Sequence, residues 1–388
     1  MKNNELKDYI IDLSANYLCK CDYFSKNYGK DQIVNILNKK IKCIYTDIVD
    51  EFSRGGYIDG TITLYFSGKM GKLQKEDIEN NEYLLATVVH ECVHAFFADS
   101  PLKRFVSGYP GKCNGLRFIG EWVIGTGLDE GYTEWIKTKT GCSSEKTLRY
   151  DNLVNIFNQL ETIFNENTIM SMGKLNFKEL QTLLKLNRKE LLKFYEMTDE
   201  LRESYWGNLI NKKILETYEN DDSKHLSEVL NSYSVYNLYK KRNKYDSVIK
   251  WQKENGLGEE ITDENFIKYC RYSLVKKENI INKKIAEIEE FLFEHYIYDY
   301  YCRCIKNGEV IDLEIFEKVK RFYLLCDNNA NEFINNPKYI EFKKAINNIL
   351  SKNKEENRSN YQFNWNENEI ITYDNTYTNN EKGYSSRR

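Results

Sequence analysis

The segment TVVHECVHAF, residues 87–96, sets two histidines four positions apart within an apolar run. Residues i and i+4 lie on one face of a helix, so His90 and His94 can present two ring nitrogens to one metal ion. Glu91 is turned by about 100° from His90, which places its carboxylate beside such an ion. The flanking residues are apolar on nearly all sides, and the helix therefore has to be buried in the fold.

This H-E-x-x-H pattern is the arrangement in which two imidazoles bind zinc and the glutamate acts as a general base. Zinc brings the pKa of a bound water to about 7, which makes a nucleophile available at neutral pH. A chance match is the alternative interpretation, but an unpaired glutamate within an apolar helix would cost several kcal/mol. We therefore predict one Zn²⁺ ion held by His90 and His94, with Glu91 as the catalytic base.

A catalytic zinc site usually has three protein ligands, and the third is predicted in a second helix that follows a Gly-Thr-Gly turn. Glu130 and Glu134 are spaced i, i+4 in this helix and face one way. We predict that Glu130 binds the metal and that Glu134 accepts the remaining ring N–H of one histidine. Gly131 beside Glu130 would let this helix approach the histidine helix closely.

Three other carboxylates compete for the third position. Asp129 cannot face the same way as Glu130, and a capping box with Thr126 already accounts for it. Asp99 lies at the end of the histidine helix, five residues after His94, and its side chain is not expected to point toward the metal ion. Glu121 has no acidic partner one turn later. The spacing of the carboxylates therefore favours Glu130.

The segments TVVHECVHAF and LDEGYTE (residues 128–134) resemble the gluzincin branch of the zincin-like metallopeptidases. The resemblance covers roughly residues 55–136. It implies a small sheet, an active-site helix and a helical C-terminal lobe, with His90, His94 and Glu130 as ligands and Glu91 as the general base. The GTGLDEGY segment is also loosely similar to the Gly-Thr-x-Asp element of the aspzincins, with an extra residue before the aspartate, which keeps Asp129 open as a third ligand.

The patterns of apolar residues predict an α+β protein that begins with a zincin-like catalytic domain over residues 1–150. Its first 40 residues have helical periodicity, and residues 41–46 can form a strand. Alternating apolar and polar positions over residues 61–66 predict a half-buried strand, preceded by a tight hairpin turn at Asp59-Gly60. The histidine helix is predicted from about Glu82 to Ala98.

Long amphipathic segments predict an α-helical domain over residues 151–350. The tail, residues 351–388, is rich in Asn, Glu, Ser and Tyr and poor in aliphatic residues. Such a composition cannot bury enough apolar surface to fold, and the tail is predicted to be poorly ordered.

The formal net charge of −3 gives no reason to expect nucleic acid or an anionic membrane as a partner. The N-terminal residues lack the apolar core of a signal peptide, and the most apolar window, residues 83–98, is too short to span a bilayer. We expect a cytoplasmic protein whose partner is a peptide or protein substrate.

Two functions are compatible with these patterns. The first is a zinc metallopeptidase in which Glu91 activates a zinc-bound water to hydrolyse peptide bonds. The alternative is a catalytically inactive binding or regulatory protein that keeps the zincin fold. The presence of Glu91 argues against the alternative, because an inactive site could lose this base without losing the metal.

Overall fold

The computed structural model describes most of the chain and shows a mostly helical protein with small sheets, which is compatible with the predicted α+β class. The described residues are 3–48, 54–58, 60–66, 73–98, 105–106, 109–110, 112–119, 123–144, 147–219, 249–257 and 263–359. Among these residues, no helix combines the length and the apolar composition needed to cross a bilayer. The cytoplasmic location stays a prediction.

The N-terminal residues form the predicted helices, which are α1 (Asn3–Leu18), α2 (Asp22–Asn27) and α3 (Gly29–Lys40). Their apolar positions recur at helical spacing, and Ile10, Ile33 and Leu37 are fully buried.

A three-stranded sheet follows, built from β1 (Cys43–Ile48), β2 (Arg54–Ile58) and β3 (Thr61–Phe66). The central strand is β3, with β1 parallel to it on one side and β2 antiparallel to it on the other. Ile62 and Leu64 of β3 are buried, as the alternation predicts. Ile58 pairs with Thr61, so the connection is a tight hairpin with Gly60 at a φ of 91°. Asp59 lies outside the described residues.

The histidine-bearing helix is α5 (Glu82–Phe97), preceded by the short α4 (Lys75–Glu79). The side-chain oxygen of Asn81 caps α5 by accepting a hydrogen bond from the backbone N–H of Leu84 at 3.0 Å. Every residue of α5 from Ala86 onward is buried, because α1, α3, β2 and the following helix pack around it. The predicted helix is confirmed.

Short strands occupy parts of the segment between α5 and the next helix. They are β4 (Phe105–Val106), β5 (Tyr109–Pro110), β6 (Lys112–Asn114), β7 (Arg117–Ile119) and β8 (Val123–Ile124). The first two pair with each other, and the last three form an antiparallel sheet. Strands of two or three residues are too short to leave a detectable period in a sequence.

Five helices follow, α6 (Thr126–Lys139), α7 (Asp151–Phe164), α8 (Glu166–Ser171), α9 (Phe177–Leu184) and α10 (Arg188–Glu219). The first of them, α6, contacts α5, α7 and α10. A Cβ atom added to Gly131 of α6 would lie 2.7 Å from Cβ of Leu153 in α7. The prediction that Gly131 allows close approach to the histidine helix is therefore wrong, because this glycine faces α7.

The C-terminal part is helical, as predicted. Its elements are α11 (Asp263–Leu292), a π-helical turn (Phe293–Ile297), α12 (Tyr298–Cys304), the hairpin β9 (Ile305–Lys306) and β10 (Glu309–Val310), α13 (Leu313–Leu324) and α14 (Pro337–Ser359). Buried apolar side chains from Leu6 to Ile349 form one continuous core. The division into domains at residue 150 stays a prediction. Of the predicted tail, residues 360–388 lie outside the described residues.

Candidate metal centre

The two histidines of α5 turn one ring nitrogen each toward a common point. Nε2 of His90 lies 3.2 Å from Nε2 of His94, and both side chains are buried. This arrangement follows from the i, i+4 spacing, which places both rings on one face of the helix.

Glu130 of α6 brings a carboxylate oxygen to the same point. Its Oε2 atom lies 3.2 Å from Nε2 of His90 and 3.7 Å from Nε2 of His94. Ligand atoms on a tetrahedral zinc ion, with bonds of about 2.0–2.1 Å, lie about 3.3 Å apart. The observed separations fit this geometry, and two imidazole nitrogens with one carboxylate form a donor set that zinc accepts. The three residues can hold one metal ion.

The opposite nitrogen of His90 faces Glu134. Nδ1 of His90 lies 2.9 Å from Oε2 of Glu134, which is completely buried. The second oxygen, Oε1, accepts from the backbone N–H of Arg149 at 2.8 Å and lies 2.5 Å from Nζ of Lys137. Both oxygens of Glu134 are therefore engaged, which holds the His90 ring in one orientation.

The opposite nitrogen of His94 faces a second pair of residues from α6. Nδ1 lies 3.1 Å from Oδ2 of Asp129 and 3.2 Å from Oγ1 of Thr133. Oδ1 of Asp129 accepts from the backbone N–H of Leu116 at 2.8 Å, so the predicted capping box with Thr126 is wrong. Asp129 is directed to Nδ1 rather than to the point where the Nε2 atoms meet.

This pattern gives the nitrogens that carry hydrogen when both imidazole rings are neutral. Both Nδ1 atoms face carboxylate or hydroxyl oxygens, and a ring that donates from Nδ1 carries a lone pair on Nε2. Two nitrogen lone pairs and one carboxylate oxygen, from Glu130, then lie within 3.7 Å of one another. Three electron-pair donors repel one another at this distance unless a cation, either a proton or a metal ion, is shared among them.

The electrostatics favour positive charge at the same place. Burial alone would lower the pKa of His94, but the carboxylates of Asp129 and Glu130 outweigh it and raise the pKa to about 10. Hydrogen bonds to Glu130 and Glu134 likewise raise the pKa of His90 against the effect of burial. Burial opposes ionisation of Glu130, yet the two histidines hold its pKa well below the usual range. A metal cation would be attracted by the same charges.

Glu91 lies on α5 beside His90 and is only 5% exposed. A Cβ atom added to Gly55 of β2 would lie 2.7 Å from Cγ and 2.9 Å from Oε1 of Glu91 and 2.7 Å from Cγ2 of Thr87, so a larger residue there would displace these side chains. Burial raises the pKa of Glu91, although the two histidines oppose this.

The other predicted candidates for the third ligand cannot be placed, since Asp99 and Glu121 lie outside the described residues. Thr133 and Lys137 are further residues of the site that the H-E-x-x-H pattern does not predict. A signal for Thr133 exists, because Asp129 and Thr133 form a second i, i+4 pair directly beside Glu130 and Glu134. Lys137 follows Glu134 at i+3, a spacing that brings opposite charges together on a helix.

Arg202 of α10 is another residue that this pattern does not predict. Burial opposes its charge, but Tyr150 and Glu130 attract the guanidinium and raise its pKa above the usual value. Nη1 of Arg202 lies 2.9 Å from Oε1 of Glu203. Its buried Nε atom has no hydrogen-bond partner among the described residues. No local motif marks this arginine, which is 72 residues away from Glu130 along the chain.

Comparisons with protein-family models, with curated proteins and with solved structures found no match to this chain.

Proposed function

We propose that this protein is a zinc-dependent metallopeptidase of the gluzincin type. In this proposal His90, His94 and Glu130 hold one zinc ion, Glu91 is the general base, and Glu134 orients His90. The observation that carries it is the convergence of two Nε2 atoms and one Oε2 atom within 3.7 Å, while both Nδ1 atoms face acceptors. Buried polar groups that only stabilise a fold pair donors with acceptors.

The neighbouring residues support hydrolysis as the reaction. Bound zinc would supply Lewis-acid chemistry, which activates water and polarises a carbonyl group. Glu91 can take the proton that the attacking water loses and return it to the amine nitrogen as the C–N bond breaks. The side chains of His90 and Glu130 remain 10% and 15% exposed, which supports contact of this point with solvent.

The position of β2 supports a peptide as the substrate. Among the described strands β2 pairs only with β3, and the free edge of a strand can hydrogen-bond an extended peptide. Gly55 of this edge strand packs directly against Glu91. A peptide paired with β2 would therefore lie beside the proposed base.

The test begins with the full-length chain, purified without added zinc. We expect about one zinc per chain and cleavage within a peptide library, measured by elemental analysis and mass spectrometry. Glu91→Gln should keep the zinc and lose roughly 10²–10⁴-fold in rate, because the amide cannot accept the proton. Glu82→Gln is the matched control, since this exposed glutamate lies on the same helix, and it should cleave like the wild type.

Two outcomes would contradict the proposal. A wild-type chain that binds no divalent metal removes its basis altogether. A wild-type chain that binds one zinc and cleaves no peptide is an inactive binding or regulatory protein, and the peptidase function should then be abandoned.

A further inference from the structure

The first turn of α6 is capped by a residue that is distant in sequence. Oδ2 of Asp199, on α10, accepts from the backbone N–H of Gly125 at 2.9 Å, and Oδ1 accepts from that of Gly127 at 2.5 Å. The N–H groups of a first helical turn have no partner inside the helix. No side chain within α6 caps this end, so Asp199 takes the place of a local cap.

The same turn is in backbone contact with α10. A Cβ atom added to Gly127 would lie 2.1 Å from the carbonyl oxygen of Thr198, the residue before Asp199. Any other residue at position 127 would push the two helices apart. The hydrogen bonds and this contact together determine where α6 begins relative to α10.

The turn that Asp199 holds leads directly to the metal centre. Glu130 follows Gly127 by three residues, which is less than one helical turn. The contact continues along both helices, since Arg202, three residues after Asp199, interacts electrostatically with Glu130. A metal ligand has to be held within about 0.5 Å of its productive position. A shift of the first turn of α6 would therefore move Glu130 away from the two histidines.

We propose that Asp199 is a positioning residue of the metal centre, which holds Glu130 at the distance from His90 and His94 that zinc requires. This inference rests on the metal-binding part of the proposed function. It does not depend on which bond the protein cleaves, or on whether it cleaves one.

Asp199→Asn in the full-length chain tests this inference. The asparagine has the same size, but its NH₂ group cannot accept one of the two backbone N–H donors. Zinc affinity, measured by competition with a chelator, should fall about 10-fold or more, which is the size of effect expected for groups that orient metal ligands. The absorption spectrum of the Co²⁺ form should shift toward that of Glu130→Gln. A purely structural role would reduce the amount of folded protein without changing the shape of this spectrum.

Glu200→Gln is the matched control. Glu200 is the next residue on α10, but its carboxylate pairs with Lys284 of α11 at 2.5 Å and does not contact α6. It should keep the wild-type zinc affinity and Co²⁺ spectrum. Asp199→Ser keeps one acceptor and should give an intermediate loss, and it provides the same comparison if Asp199→Asn does not fold.

The inference is overturned if Asp199→Asn binds zinc as tightly as the wild type with an unchanged Co²⁺ spectrum. It is also overturned if Glu200→Gln shows the same loss. If the wild type itself binds no zinc, the proposed function fails together with this inference. Wild-type binding with no effect of Asp199→Asn refutes this inference alone.

Discussion

Two groups of polar side chains are buried between helices of this protein, and their hydrogen-bonding geometry differs. Around Glu289 of α11, donors surround the carboxylate. Its oxygens accept from the backbone N–H of Asp327 at 2.6 Å, from the hydroxyl of Tyr339 at 3.1 Å and from the amide of Gln159 at 3.4 Å. At the candidate metal centre, two imidazole nitrogens and one carboxylate oxygen converge on one point instead, where a proton or a metal ion can be shared among them.

The pKa values of the two buried glutamates, Glu289 and Glu130, are shifted in opposite directions. Burial raises the pKa of Glu289 to about 7, although its hydrogen bonds oppose this. The histidines hold the pKa of Glu130 well below the usual range, although burial opposes this. Burial is therefore common to both groups and does not distinguish them. The difference is that the atoms of the candidate metal centre converge on one point, where they can share a single cation, whereas separate donors surround Glu289.

The largest expected effect is the loss of bound zinc when a histidine of the candidate metal centre is replaced, compared with a histidine elsewhere. His94→Ala should abolish retained zinc, because it removes one of three ligands. His295→Ala is the control, since His295 contacts the carbonyl oxygen of Phe291 at 2.8 Å and Glu190 at 3.7 Å. Elemental analysis after dialysis measures both. One zinc per chain in His94→Ala would refute the assignment of this ligand.

The next effect concerns the Glu289 cluster and the pH dependence of stability. Between pH 4.5 and about 7 the folded chain holds a proton on Glu289 that the unfolded chain has released. The free energy of unfolding should therefore fall by about 3 kcal/mol from this group as the pH rises through that window. Below pH 4.5 both states are protonated, and the stabilisation is fully present.

Glu289→Gln tests this because glutamine stays neutral at every pH. Denaturant unfolding of both proteins across the window should show a difference in stability that changes by about 3 kcal/mol, while contributions from other groups cancel. The variant should bind zinc like the wild type. Parallel pH profiles for the two proteins would rule out the titration of Glu289 as the cause.

Substitutions of the adjacent glycines Gly55 and Gly56 test whether the packing of β2 against Glu91 positions its carboxylate. A Cβ atom at position 55 overlaps the side chain of Glu91, whereas one at position 56 has no atom within 4 Å. Gly55→Ala should lower kcat/KM for a peptide substrate by up to about 100-fold with zinc retained, because the base is displaced. Gly56→Ala should behave like the wild type. Equal activity in the two variants would contradict the role of this contact.

The smallest effect concerns the carboxylate that orients His90. Glu134→Gln should weaken zinc binding by about 10–100-fold, because it loses an acceptor for Nδ1 of His90. Glu161→Gln is the control, since Glu161 of α7 pairs at 2.7 Å with Lys139 of α6, the helix that also carries Glu134. Chelator competition measures both affinities. An equal loss of zinc affinity in Glu161→Gln would show that the effect of Glu134→Gln is a general structural one and does not come from its contact with His90.

Much of the local structure could be predicted from the sequence. The helix that carries His90 and His94, strand β3 and its hairpin are all confirmed. These features have short periods, and a period of two or 3.6 residues is visible within a single segment. The i, i+4 relation of Glu130 and Glu134 is local in the same way.

The errors at the site have one physical cause. Asp129 was interpreted as a local cap, although it binds the N–H of Leu116 and faces His94. Gly131 was assigned to the wrong helix contact. In both cases the partner comes from another element, and nothing in the adjacent sequence shows which element packs there.

The pattern of residues alone predicts a buried helix that presents two imidazoles on one face and a second helix that carries two acidic residues on one face. Which carboxylate oxygen meets which imidazole nitrogen follows from the packing of the helices. The relative position of α5 and α6 depends on contacts from far along the chain, among them Gly55 against Glu91 and Asp199 against the first turn of α6. Helical periodicity determines the direction of a side chain, but the distance between two helices is determined by packing.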